Sequence, residues 1–318
     1  MYQVKNTSIG KYKGISLESA DGSKIEILPD YGAILNAFYC RIDDNLINII
    51  AGSKDESELS TKGKSQYRSS KLFPFPNRIK DGKYNFNGCD FNFPINHPAE
   101  NNALHGFVFD RKFEIKKLIT EKDFASVTLS YAYDGTYPGF PFPFELNITH
   151  KFSSNNYECK TEVSNTGNST FPMGSGWHPY FGLGKSINEL VVELPEARLA
   201  EVDHRLIPTG SYKEIKMETG VILGTRSFDS CFELKNINQP KQIVKISDPE
   251  LKLNISFWQS TGEKGYNFLQ VYTPPERDII AIEPMTCLPD AFNNKVGLIT
   301  LKPESKWSGT YGIKAKRI

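Results

Sequence analysis

The sequence is short of features that would classify it at once. No stretch approaches the roughly 18 unbroken apolar residues that a membrane-crossing helix needs. The opening MYQVKNTSIGKYKG holds no apolar core of signal-peptide length, so an unexported, cytoplasmic protein that keeps off the membrane is expected. The five cysteines (Cys40, Cys89, Cys159, Cys231, Cys287) are odd in number, scattered and never spaced CxxC. Reduced thiols fit this better than a disulfide framework or a zinc site. Neither sign of charge is in excess, with 38 Lys and Arg against 37 Asp and Glu. That balance gives no electrostatic reason to expect nucleic acid or an anionic surface as partner.

Histidine is sparse as well, at five in 318 residues. His97, His105, His150, His178 and His204 show no HxH or HExxH spacing, and no metal is expected. No GxGxxG follows a strand and no GxSxG elbow occurs, which removes the usual dinucleotide and serine-hydrolase signatures. GLGKS at 182–186 resembles the end of a phosphate-binding loop, but Pro179 stands where the first glycine would be and no helix signal follows.

What the chain does have is alternation. In FELNITHKF, Phe144, Leu146, Ile148, His150 and Phe152 share one face and Glu145, Asn147, Thr149 and Lys151 the other. YECKTEVSN repeats the pattern after SSNN, so residues 144–164 are predicted as a hairpin. Val127 to Tyr133 and Leu251 to Phe257 alternate likewise, and ELVVELPE, NFLQVYTPP, DIIAIEP and TYGIKAKRI have the composition of strands. No long segment carries a 3.6-residue apolar stripe, and no linker, repeat or charge block divides the chain. With 39% hydrophobic and 12% aromatic residues there is ample core. The expectation is an all-β chain: one large antiparallel β-sandwich over residues 1–318, with few short helices.

Four segments place polar residues where packing alone does not ask for them. FPFPNRIKDGKYNFNG offers Asn77 and Arg78, NNALHGF offers His105, GWHPYF offers His178, and IAIEPMTCLPDAFN offers Glu283. Each has an ordinary structural account; His150, alone on an apolar strand face, illustrates it as a satisfied core histidine. Glu283 resists that account. It follows DIIAI on a strand apolar on both faces, so its carboxyl must be paired or its pKa perturbed. Pro284 then ends the ladder beside it. A carboxylate beside histidines, without nucleophile or metal, suffices for chemistry made only of proton transfers.

Taken in order, these segments resemble the aldose 1-epimerase (galactose mutarotase-like) family. The matches are Asn77-Arg78 before DGKYNFNG, Leu104-His105-Gly106, His178-Pro179-Tyr180-Phe181, and Glu283-Pro284 with Pro289-Asp290-Ala291. The resemblance runs from about Ile25 to the C-terminus and implies a large antiparallel β-sandwich of the galactose mutarotase type. It further implies interconversion of the α and β anomers of a free aldohexose. Glu283 would take the proton from the C1 hydroxyl while His178 protonates the ring oxygen, and the roles would reverse on closure. Asn77, Arg78, His105, Tyr180, Asp229 in SFDSCF and Gln270 in FLQVYT match positions that contact the sugar. Trp177, Tyr180 and Phe181 would wall the site. No cofactor is implied; the partner is a small-molecule sugar, and the chain a monomer or homodimer.

The sequence also departs from the better-known galactose mutarotases. KLFPFP replaces a Gly-Arg pair, LHGF replaces LHGG, and Trp177 stands where a threonine precedes the histidine. These departures indicate a divergent branch and leave the sugar open. Two alternatives stand beside the first reading. One is a hexose-6-phosphate 1-epimerase, for which Lys71, Lys80 and Arg111 are candidate cations. The other is a non-catalytic carbohydrate-binding protein on the same scaffold.

Overall fold

Alternation in the sequence becomes strand pairing in the computed structural model, which describes residues 2–215 and 220–318. The predicted hairpin is Phe144–Ser153 against Asn156–Asn165. Ser154 and Asn155 turn the chain with φ of 42° and 56°. Two left-handed residues at a two-residue turn match the right-handed twist of the flanking strands.

That hairpin lies inside an eight-stranded sheet. In spatial order it runs Glu114–Thr120, Ala125–Tyr133, Phe144–Ser153, Asn156–Asn165, Lys306–Arg317, Leu253–Ser260, Lys241–Asp248 and Val191–Glu193. A second sheet runs Pro208–Glu214, Ala197–Val202, Asp229–Leu234, Phe268–Tyr272, Ile280–Met285, Gly176–Trp177 and Lys71–Leu72, with Tyr180–Phe181 pairing to Ile280–Met285 off that path. Five strands between Gln3 and Asn48 form a further sheet. Pairing within these sheets is antiparallel throughout. Helices among the described residues are short, such as Glu56–Glu58 continuing into Leu59–Gly63, and Ala291–Asn294, and none is long and apolar enough to cross a membrane. The expected mostly-β, antiparallel fold with few short helices is what the structure contains.

The two large sheets meet through aromatic rings. Trp177 of the second packs against Tyr311 of the first at 5.7 Å between centroids. His150 points into this layer, fully buried, with Nδ1 2.8 Å from the Tyr157 hydroxyl; it is a core histidine, remote from the cleft and bonded through one ring nitrogen. At one rim of the first sheet the strand Glu114–Thr120 shifts register between Ile115 and Lys117, and Ile115 and Leu118 lie exposed.

Around the site, short loops are tied by backbone contacts. Gly106 bridges Phe73, with Phe107 N–H donating to the Phe73 carbonyl at 3.0 Å. Its φ is 70°, and a Cβ there would fall 2.0 Å from the Phe73 carbonyl oxygen. This explains why glycine follows His105. Gly106→Ala incurs the ~1–2 kcal/mol left-handed penalty and a backbone collision besides. Urea unfolding should register a loss of more than about 2 kcal/mol; an unchanged midpoint would refute the account.

Candidate active site

Period-2 geometry sorts the second sheet into a core face and a cleft face. Gln270 lies opposite both Cys231 and Glu283, while Tyr272 lies opposite Asp229 and Ala281. Ala281 in turn faces Tyr180. Residues directly opposite in antiparallel strands share a face, so Asp229, Gln270, Tyr272, Glu283 and Tyr180 line one side. Ile280, Ile282, Val271 and Phe181 fill the core on the other. His178, two residues before Tyr180, joins the cleft face with its ring stacked on Tyr180 at 4.9 Å.

The same alternation corrects one expectation. Trp177 is not a wall of the site. It falls between Gly176 and His178, hence on the core face, where its indole N–H donates to Thr161 Oγ1 at 3.1 Å. Phe181 also packs inward, against Phe257. Of the three aromatics, only Tyr180 lines the cleft.

Loops complete the cleft from the other side. Strand Arg78–Lys80 pairs with Asn102–Leu104, bringing Arg78 opposite Leu104 and leaving Asn77 and His105 at the junction. Both adopt left-handed backbones, with φ of 57° and 61°. They exchange two bonds: His105 N–H donates to the Asn77 carbonyl at 2.9 Å, and Asn77 N–H to His105 Nδ1 at 3.1 Å. Because Nδ1 accepts, the proton of neutral His105 sits on Nε2. The Asn77 amide donates to Gln270 Oε1 at 3.3 Å and its carbonyl accepts from Arg78 at 3.0 Å. Gln270 donates to Asp229 Oδ1 at 2.7 Å, at the exposed lip. A polar chain thus runs from Arg78 through Asn77 and Gln270 to Asp229.

At the floor, His178 Nε2 lies 3.3 Å from Glu283 Oε1. Glu283 is only 2% exposed. Burial drives its carboxyl well above the usual carboxylate range; the Asp229 charge pushes the same way and the Arg78 guanidinium opposes. Burial lowers the His178 imidazole to about 3. His105 is likewise pushed well below its ordinary value, by burial and then by His178 and Arg78. Glu283 Oε2 and Arg78 Nε are buried with no hydrogen-bond partner, and His178 Nδ1 finds none outside its own residue. Buried polar groups are normally satisfied, so three unsatisfied ones around one cleft mark a place built for a polar ligand.

The cleft has a volume of about 580 Å³, within the range of ligand-binding sites. All eight residues expected from the sequence line it: Asn77, Arg78, His105, His178, Tyr180, Asp229, Gln270 and Glu283. Sequence reasoning missed Tyr67, whose ring stands edge-on to His105 at 4.6 Å, and the contact of His97 with Glu100, both of which line the cleft. The i,i+3 spacing of His97 and Glu100 was the available signal; Tyr67 left none. Among the described residues no group of His, Cys, Asp and Glu is arranged to hold a metal. Of the cations considered for a phosphate, none lines the cleft: Lys71 is buried behind the sheet and Lys80 and Arg111 are exposed elsewhere.

Residues 13–314 match the family model described as aldose 1-epimerase. A galactose mutarotase-like protein from Clostridium acetobutylicum superimposes with a TM-score of 0.88 at 23% identity, covering 100% of this chain and 99% of that one. The galactose 1-epimerase of Lactobacillus acidophilus does so with a TM-score of 0.80 at 16% identity, over 100% and 99%. At those identities the likeness establishes the galactose mutarotase-like fold. The uncharacterised protein YihR of Escherichia coli is 27% identical over 256 residues, 76% of this chain and 78% of that protein.

The buried pair carries a signature in stability. An unfolded glutamate has a pKa near ~4.3, and in the native state that of Glu283 is raised. Above about pH 4.3 the unfolded chain sheds a proton that the native state keeps, so this group's contribution falls as pH rises toward the native pKa. Glu283→Gln removes the titration. Its melting temperature relative to wild type should therefore climb as pH rises above about 4.5. A difference independent of pH would contradict the raised carboxyl.

Proposed function

The chain belongs to the aldose 1-epimerase family, and on that premise we propose that it interconverts the α and β anomers of a free aldohexose. The observation that carries this reading is the buried Glu283–His178 pair with unsatisfied atoms facing a polar cleft. Glu283 accepts the proton of the C1 hydroxyl and His178 gives one to the ring oxygen. The C1–O5 bond breaks as the carbonyl forms, C1–C2 rotates, and closure on the opposite face returns both protons.

Burial suits both roles. The raised Glu283 carboxylate is a stronger base than a solvated one, and the lowered His178 imidazolium a stronger acid. Both transfers are therefore pulled toward the neutral acid and neutral imidazole, the forms present while the open-chain aldehyde is bound. Arg78 opposes the effect of burial on Glu283, favouring the carboxylate that accepts the C1 proton. Its unpartnered Nε, with Asn77, His105 and Gln270, supplies donors and acceptors for sugar hydroxyls. The Tyr180 ring offers an apolar face beside the imidazole.

A free sugar is favoured over its 6-phosphate because the cleft lacks a cation cluster. Among the described residues Lys64 and Arg78 are its only lysine or arginine, and Lys64 is 3.7 Å from Asp110. Polarimetry on freshly dissolved α-D-glucose and α-D-galactose tests the proposal, with glucose 6-phosphate alongside and the spontaneous rate subtracted. The protein should accelerate mutarotation of a free sugar, and Glu283→Gln and His178→Asn should each lose about 10²- to 10⁴-fold. Sugar binding with only the background rate would leave a binding protein; preference for the phosphate would overturn the substrate assignment.

A further inference from the structure

Lys71 is 0% exposed, and no carboxylate among the described residues pairs with it. Its ammonium donates to Ser175 Oγ at 2.5 Å and to the Gly176 carbonyl at 3.1 Å, and lies 5.1 Å from the centre of the Trp177 ring. Burial lowers its pKa to about 7. A buried lysine without a carboxylate partner opposes folding, and an apolar side chain of similar volume usually does better in such a place. Retention of lysine therefore calls for a reason other than stability.

Its location supplies one. The strand Gly176–Trp177 has only two residues, and Pro179 interrupts it just past His178. Few ladder bonds fix the backbone that aims the imidazole. The segment of Lys71 supplies the missing ties: Ser69 N–H donates to the His178 carbonyl at 2.9 Å, and His178 N–H to the Ser70 carbonyl at 3.1 Å. Lys71 adds two bonds to Ser175 and Gly176 from the core side. Ser175 is held in turn by Thr286 through two bonds of 2.9 Å, three residues beyond Glu283. The ammonium thus closes a frame joining the His178 strand to the Glu283 strand.

We propose that Lys71 is a positioning residue for His178, kept at a cost in stability because its donors pin Ser175 and Gly176, three and two residues ahead of His178. This rests on the epimerase reading for its kinetic consequence but not for its structural one. Removing the donors frees the short strand and misaims the imidazole while leaving the sugar-binding groups in place.

Lys71→Met tests this with three readouts. Its melting temperature should equal or exceed that of wild type, kcat should fall by about tenfold or more with KM within about twofold, and the His178 imidazole signals in NMR should shift or broaden. Lys71→Gln, which restores an N–H donor without the charge, should recover part of kcat. A lowered melting temperature or failure to fold would make Lys71 an ordinary structural residue and overturn the proposal. So would unchanged kcat and unchanged His178 signals. If the wild-type protein turns over no sugar, the epimerase reading fails alone, because melting temperature and the His178 spectrum still decide the role of Lys71.

Discussion

A carboxyl group and an imidazole held 3.3 Å apart out of water form the constraint around which this molecule is arranged. Neither group is at ease there, since burial penalises the charged form of each. A loose scaffold would relieve the tension by turning one of them toward solvent. This one does not, because Glu283 sits on a strand whose alternate residues, Ile280 and Ile282, are wholly buried in the core. The carboxyl can leave the cleft only if the strand leaves the sheet. Neighbouring charges then adjust the balance, Asp229 favouring the proton on Glu283 and Arg78 opposing it.

The opposite wall is made of loops, yet it is no less determined. Asn77, His105 and Asp290 all take left-handed backbones, which cost an ordinary residue ~1–2 kcal/mol, and asparagine and aspartate are the side chains that accept them most readily. Asp290 lies outside the cleft lining. It accepts from Lys80 N–H at 2.9 Å while its own N–H donates to the Arg78 carbonyl at 2.7 Å. The turn after the Glu283 strand thereby grips the strand that presents Arg78. Conformations that would be liabilities singly become mutually supporting.

Sequence patterning anticipated the strands because a half-buried strand must alternate. It anticipated the hairpin because SSNN suits a turn of two left-handed residues. It could not assign faces where strands are short. Gly176–Trp177 has too few residues to reveal its phase, so Trp177 read as part of the site although it belongs to the core. Lys71 reads as a candidate phosphate cation, but its burial is not legible: in a sequence a lysine looks solvated, and only the Trp177–Lys71 pairing carries it into the interior. Tyr67 follows a helical turn rather than a strand, and no periodicity marks it. Asn77, Arg78, His105, His178 and Glu283 stood out as polar residues in segments where packing does not ask for them, whereas Tyr180, Asp229 and Gln270 came with the family resemblance; the fold brings all eight to one cleft.

An open sheet of eight strands has two rims whose unsatisfied backbone groups invite pairing by another chain. At the Glu114–Thr120 rim the extra residue between Ile115 and Lys117 bends the strand, and Lys116 and Lys117 stand beside exposed Ile115 and Leu118. A kinked border that carries charged side chains makes a poor template for a flat incoming strand. Growth of the sheet from one molecule into the next is therefore opposed by shape. Protection against fibrous aggregation is thus written into a strand far from the chemistry, through an irregularity that a more regular sheet would lack.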